Sequence, residues 1–236
     1  MMAFAQFRAG APQTSGPPSA LTVELRPSGP FWQNTARTTP AGVGDPVRVW
    51  DDSSGNGLHA VAPSDAERPL RAAAGGVDWN SATPTTLVIP YTGTSAFSLY
   101  HRGTRDSTSD DEFMASDAAG SDNTYLRGNA DNAFARVDSG GMAYALQAGF
   151  PITDTVASMV VNGAGSASWV AVGTGKTTTT SGTMSSGYFT GIRLGAYNSA
   201  PSLSERGVAM AIAFATAGHT NAEWLAMVAY MQGLSP

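Results

Sequence analysis

Residues 50–57 read Trp50-Asp51-Asp52-Ser53-Ser54-Gly55-Asn56-Gly57. Trp50 closes the alternating stretch 47–50 with a large aromatic body suited to the core of a β-sandwich. Every residue after it either bonds its own backbone readily or accepts positive φ. Such a run makes a tight, rigid loop that leads the chain back into a sheet. Its expected role is structural.

The same texture extends outward in both directions. Short apolar or alternating runs at 21–25, 47–50, 86–89, 97–102, 112–115, 125–127, 132–137, 156–162, 168–172, 192–196 and 208–215 are separated by Gly, Asn, Asp and Pro clusters. Many short strands with turn signals between them predict an all-β sandwich. No αβ alternation appears, which disfavours a parallel α/β sheet. One helix is marked, at the C-terminus. Thr220-Asn221-Ala222-Glu223 fits a capping box. Trp224, Val228 and Met231 then recur at helical spacing, with Leu225 beside them. Gly233 is placed to end the helix as its C′ residue, closed by Leu234. Residues 1–19, rich in Gly, Pro, Ser and Ala, read as an extended N-terminal arm or a disordered tail, and 20–236 as one domain.

Composition excludes several classes of function. Charged residues are 13% of the 236-residue chain, about half the usual share, and the formal net charge is -5. Attraction to nucleic acid or to an anionic membrane is therefore not expected. With no cysteine, disulfides, thiolate metal sites and thiol nucleophiles drop out. No apolar run approaches the ~18 residues of a membrane span. The start, 1–13, carries its one charge, Arg8, after the apolar residues, so it does not read as a secretion signal.

The segment Phe31-Trp32-Gln33-Asn34-Thr35, followed by Thr38-Thr39-Pro40, Gly44-Asp45-Pro46-Val47, the Trp50–Gly57 loop and Arg68-Pro69, resembles the opening of concanavalin A-like (laminin-G-like) lectin/glucanase domains. That version is common in bacteriophage structural and bacterial surface proteins. Ile192-Arg193-Leu194-Gly195, Gly207 with the strand after it, and the terminal helix are similar to the family's end. The middle matches weakly, and Val77-Asp78-Trp79-Asn80 stands where the family often has an F-D-G turn. The resemblance implies an antiparallel jelly-roll sandwich with one C-terminal helix, and a role in binding or assembly.

The candidate chemistry is sparse. Asp52, Ser54, Asn56 and Gly57 mimic half of a calcium loop, but Pro63 occupies the twelfth position, where a bidentate acid is needed. Asp106, Asp110, Asp111 and Glu112 form the densest acidic cluster, read as a solvated turn, with a loose Ca²⁺ site or a glycan contact as the functional alternatives. The E-x-D-x-E strand of the fold's glucanases is missing, and Asp111 and Glu112, being adjacent, point to opposite faces of a strand. Gly173-Thr174-Gly175-Lys176-Thr177 has Val170 where a P-loop needs its first glycine, so it reads as a hairpin or open loop. His59, His101 and His219 lack ligand spacing, and His219 reads as a surface turn residue. No catalytic group, metal or cofactor is assigned.

Sugars stack on flat aromatics and are oriented by nearby amides and carboxylates. Trp32, Trp79, Trp169 and Trp224 are either core residues or platforms of this kind. Loop-like polar surroundings select Trp79, Asp111, Tyr125, Asn129, Tyr197 and Asn198 as candidate glycan contacts. The expected protein is a non-catalytic virion component carrying a lectin-like module for host-surface polysaccharide. It is expected to be held to other virion proteins by its arm and to form homo-oligomers. Pure assembly without glycan binding, and glycoside hydrolysis, are the competing readings.

Overall fold

The computed structural model describes residues 16–79, 85–92, 96–106, 112–118, 124–129, 132–137, 143–162, 167–180, 189–196 and 207–236. Two antiparallel sheets face each other. The eight-stranded sheet contains β1 (Val23–Leu25), β5 (Leu70–Arg71), β6 (Val77–Asp78), β8 (Phe97–Arg105), β13 (Thr155–Val161), β14 (Ala167–Val172), β15 (Gly175–Thr180) and β17 (Gly207–Ala215). The nine-stranded sheet contains β2 (Phe31–Trp32), β3 (Val49–Trp50), β4 (Ala60–Val61), β7 (Leu87–Ile89), β9 (Glu112–Asp117), β10 (Thr124–Asn129), β11 (Asn132–Val137), β12 (Ala143–Ala148) and β16 (Ile192–Leu194). All eleven predicted strands are present, and the chain is an all-β sandwich with one C-terminal helix.

The main core fills the space between the sheets. Leu87, Ile89, Ile192 and Leu194 point in from one side, and Leu99, Ala157, Ile212 and Phe214 from the other. Period-two alternation makes this possible, because each inward residue has an outward neighbour such as Val88 or Arg193. Gly173, at φ 55, turns the chain between β14 and β15, so the Gly-Thr-Gly-Lys-Thr stretch forms a hairpin.

A second core lies under helix α1 (Asn221–Gly233) on the outer face of the eight-stranded sheet. Trp224, Met227, Val228, Tyr230 and Met231 pack there against Tyr100, Val156, Val160 and Trp169. The capping box forms as predicted: Thr220 Oγ1 accepts from the Glu223 N–H, and Glu223 accepts from the Thr220 N–H. The helix C-terminus differs from the expectation. Gly233 stays inside the helix, and Arg102 satisfies the last carbonyls instead. Its guanidinium donates to Met231 O at 2.9 Å and Leu234 O at 2.5 Å, and grips Asp154 through Nη2 at 2.7 Å. A fixed cation there also suits the negative end of the helix dipole.

His219 is another correction. It is 4% exposed, not a surface turn residue, and its Nδ1 lies 2.7 Å from the Tyr100 hydroxyl. Burial lowers its pKa. A neutral ring thus joins the sheet to the start of the helix, where a charge would be costly to desolvate.

Candidate functional site

The opening loop organises one corner of the sandwich through three consecutive residues. Trp50 points into the core, 5.3 Å from the Phe31 ring, and its Nε1 donates to Arg26 O at 3.0 Å. Asp51 faces outward. Asp52 faces the loop and gathers it. Its Oδ1 accepts the N–H groups of Glu24 and Ser54, both at 2.9 Å. Its Oδ2 accepts the Ser54 hydroxyl at 2.7 Å and the Leu58 N–H at 3.2 Å. The Asn56 amide donates to the carbonyls of Leu21 and Thr22. The loop therefore clamps the chain entering β1, and the structural role expected for it holds.

Between this loop and the segment before β1 lies a polar cleft of about 470 Å³. Pro17, Pro18 and Leu21 supply apolar walls, and Ser53, Ser54 and Asn56 supply hydroxyl and amide groups. Glu24 and Arg26, which also line the cleft, form an ion pair. The Arg26 Nε lies 3.0 Å from Glu24 Oε1, and Nη2 donates to Oε2 at 3.0 Å. Tyr230, reaching over from α1, donates its hydroxyl to Glu24 and accepts from Arg26 Nη2.

A carboxylate bonded to a tyrosine and an arginine resembles the machinery of glycosidases that use a tyrosine nucleophile. Here the electrostatics oppose that chemistry. Burial, followed by the hydrogen bond to Glu24 and its charge, pushes the Tyr230 phenol above its ordinary pKa. The hydroxyl stays protonated, and the carboxylate beside it is committed to two donors. The trio ties helix to strand and leaves Arg26, 37% exposed, as its outer member.

The residues singled out from sequence have mixed fates. Trp79 was expected as a sugar platform but is 1% exposed. Its N–H extends the ladder to Gly207 O at 3.0 Å, and its ring turns into the core against Gly195. Gly195 adopts φ 81, and a Cβ there would stand 2.5 Å from the indole. Only glycine lets the ring lie flat on that backbone. Tyr125 is also corrected from platform to buried residue, at 6% exposure. It sits mid-ladder opposite Ser116 and Arg136, with the Arg127 guanidinium 5.5 Å from its ring centre. Asn129 ends β10 opposite Asn132. Asp111, Tyr197 and Asn198 lie outside the described residues. Gly128 pairs with Glu112, and Leu194 with Ala115, so the chain leaves β10 and β16 at the end where β9 begins.

The cleft was not anticipated, because its walls come from separated stretches of chain. The one available signal was the Pro17-Pro18 pair a few residues before a strand, a stiff extended segment able to stand off the sheet.

No family model matches the sequence, and no curated protein matches it. Solved structures do share the fold. The receptor-binding domain of botulinum neurotoxin type G matches with a TM-score of 0.57 at 7% identity, over 90% of this chain and 51% of that one. The serotype D ligand-binding domain, solved in complex with N-acetylneuraminic acid, matches with a TM-score of 0.56 at 8% identity, over 92% and 54%. The binding domain of neurotoxin DC, in complex with rat synaptotagmin II, gives a TM-score of 0.60 at 7% identity, over 90% and 52%. The chain spans about half the length of these domains, and at such identities the likeness is one of fold.

Proposed function

We propose that this chain is a non-catalytic, lectin-like module that binds a surface glycan and is carried on a virion. The observation that carries the glycan reading is the polar cleft beside the opening loop. Its volume falls within the range of about 300–1,000 Å³ typical of small-molecule sites, and it combines apolar walls with a few convergent polar groups. Support also comes from the fold, which is shared with a domain that binds N-acetylneuraminic acid. The non-catalytic reading is supported by the carboxylate of the cleft and the one in the loop beside it. Glu24 is held by Arg26 and Tyr230, and Asp52 by backbone donors and Ser54. A glycosidase needs one carboxyl group protonated and one free beside the scissile bond. Asp111, Asn129, Tyr197 and Asn198 remain proposed contacts for a longer glycan.

Binding per chain should be weak, with a Kd on the order of millimolar, and made effective by many copies on one particle. Multimerised protein on a glycan array should give hits. Ser53→Trp, which fills the cleft from a half-buried position, should lower them at least ~10-fold without shifting the melting temperature. Shortened sugars released from any hit would contradict the non-catalytic reading. An array without hits would favour assembly alone.

The virion proposal rests on the opening motif, which resembles phage structural proteins. It includes anchoring of homo-oligomers to other particle proteins by the arm, of which 1–15 lie outside the described residues. Antibody-labelled particles from the source should show this chain at defined positions by electron microscopy. Unlabelled particles would refute it.

A further inference from the structure

On the outward side of the opening loop, Asp51 collects three residues that are distant in sequence. Trp32 Nε1 donates to Asp51 Oδ2 at 2.7 Å. The Arg37 Nε lies 3.0 Å from Asp51 Oδ1, and His59 Nδ1 lies 3.0 Å from the same oxygen. Trp32 and Asp51 are half-buried, as is His59, on the outer face of the nine-stranded sheet at its β2 edge. Phe31 and Trp50, their neighbours in sequence, point into the core.

The geometry of this cluster is enforced. Arg37 is the one described non-glycine residue at positive φ, 55°. An arginine in that region is strained and persists only when its surroundings hold it there. The hold is visible. Asn34 donates its amide to the hydroxyls of Thr38 and Thr39, accepts the Thr38 N–H, and receives the Arg37 N–H on its carbonyl. This clip folds 34–39 so that the Arg37 side chain lies over Asp51.

The polarity of the exposed surface follows from counting valences. Asp51 Oδ2 accepts from Trp32 and Oδ1 lies in ion-pair contact with Arg37; the Asp51 side chain is 15% exposed against 39% for Arg37, so the cation lies outermost. The two Nη groups of Arg37 meet no other partner among the described residues. His59 Nδ1 lies between Asp51 Oδ1 at 3.0 Å and the Asp52 N–H at 3.1 Å, which holds the ring at the cluster. Neighbouring charges are paired elsewhere: Arg48 and Arg68 with Asp65, and Asp45 with Gln33. The cluster thus offers outward donors beside an indole whose orientation is fixed.

We propose that Trp32, Arg37 and His59 form a subsite for an acidic sugar, with the carboxylate on the Arg37 fork and the apolar ring face on Trp32. This rests on the glycan-binding reading above and names the ligand class. Arginine pairs with carboxylates through two parallel N–H groups, which a neutral hydroxyl does not reproduce.

The probes are N-acetylneuraminic acid, methyl glucuronoside and methyl glucoside, titrated by NMR while following the Trp32 indole N–H. The two carboxylated sugars should shift this resonance and the neutral one should not. Arg37→Asn removes the fork while suiting the left-handed backbone. It should weaken acidic-sugar binding at least ~10-fold with the fold intact. Acidic sugars that bind equally well to Arg37→Asn, or a neutral sugar that binds as well as the acidic ones, would overturn this subsite and leave the glycan reading standing. No binding of any sugar, in solution or on the array, would overturn both.

Discussion

Trp50→Ala should lower stability to unfolding by about 3–5 kcal/mol, the range for removing a large aromatic from a core. Trp50 is fully buried. Its ring packs tilted against Phe31, and no backbone segment stands ready to collapse into the space, because β3 is held on both sides by β2 and β4. The substitution also removes the donor to Arg26 O. Trp50→Phe separates the two effects: it keeps most of the packing and should cost about 1 kcal/mol for the lost hydrogen bond plus a smaller cavity term. Urea unfolding of the three proteins measures both steps. An alanine variant that unfolds at the parental midpoint would show that the motif does not anchor the core.

The longest strands are legible in the sequence, because they have enough residues to show a period. The nine-residue β8 and β17 alternate between two apolar environments and read as strands at once. β2, β4, β5 and β6 span two residues each. Two residues carry no periodicity, and such strands exist because the loops around them are pinned, as Val47 N–H is to Pro69 O. β15 was missed for another reason. Its Thr177–Thr180 run is β-branched and favours a strand, but it follows a glycine-rich turn and was read with the loop.

The site was less legible than the fold, and the failures share a cause. Polar sequence surroundings suggest exposure, and on that ground Trp79 and Tyr125 read as surface residues. A strand residue flanked by polar neighbours can still face inward, because its neighbours face the other way. Asp78 and Gly195 show this for Trp79: the first shares its strand end, and the second leaves room for its ring. The converse error hid the Trp32–Asp51–His59 cluster. Those three residues come from different strands or strand ends, so no spacing along the chain announces them. Trp32 and Asp51 both belong to the opening motif, but nothing in the motif shows that they touch. Arg37 is legible only in hindsight, through the asparagine and two threonines that force its turn.

Asp52→Ala should be the second most damaging change, at about 3 kcal/mol. The carboxylate accepts three backbone N–H groups, and alanine leaves all three without a partner. An unsatisfied buried donor costs about 1–3 kcal/mol, and partial exposure of this loop puts each one near the low end. The effect should depend on pH. Burial by itself would raise the Asp52 pKa, but the donors from Glu24, Ser54 and Leu58 outweigh it and hold the carboxyl below its usual 3.8. A folded-state pKa below that of the unfolded chain means that the unfolded chain binds the proton first as pH falls. The electrostatic part of the Asp52 contribution is therefore complete above pH 3.8 and lost as pH falls through the folded value. The stability difference between parent and Asp52→Ala should be largest near neutrality and shrink below pH 3.8. Asp52→Asn keeps one acceptor oxygen but turns an N–H₂ group toward the Leu58 N–H, so it should recover only part of the loss and titrate no further. Chemical unfolding from pH 7 to pH 3 compares all three. An alanine variant whose deficit stays constant across that range would show that the charge on Asp52 contributes nothing and that its hydrogen-bond geometry alone holds the loop.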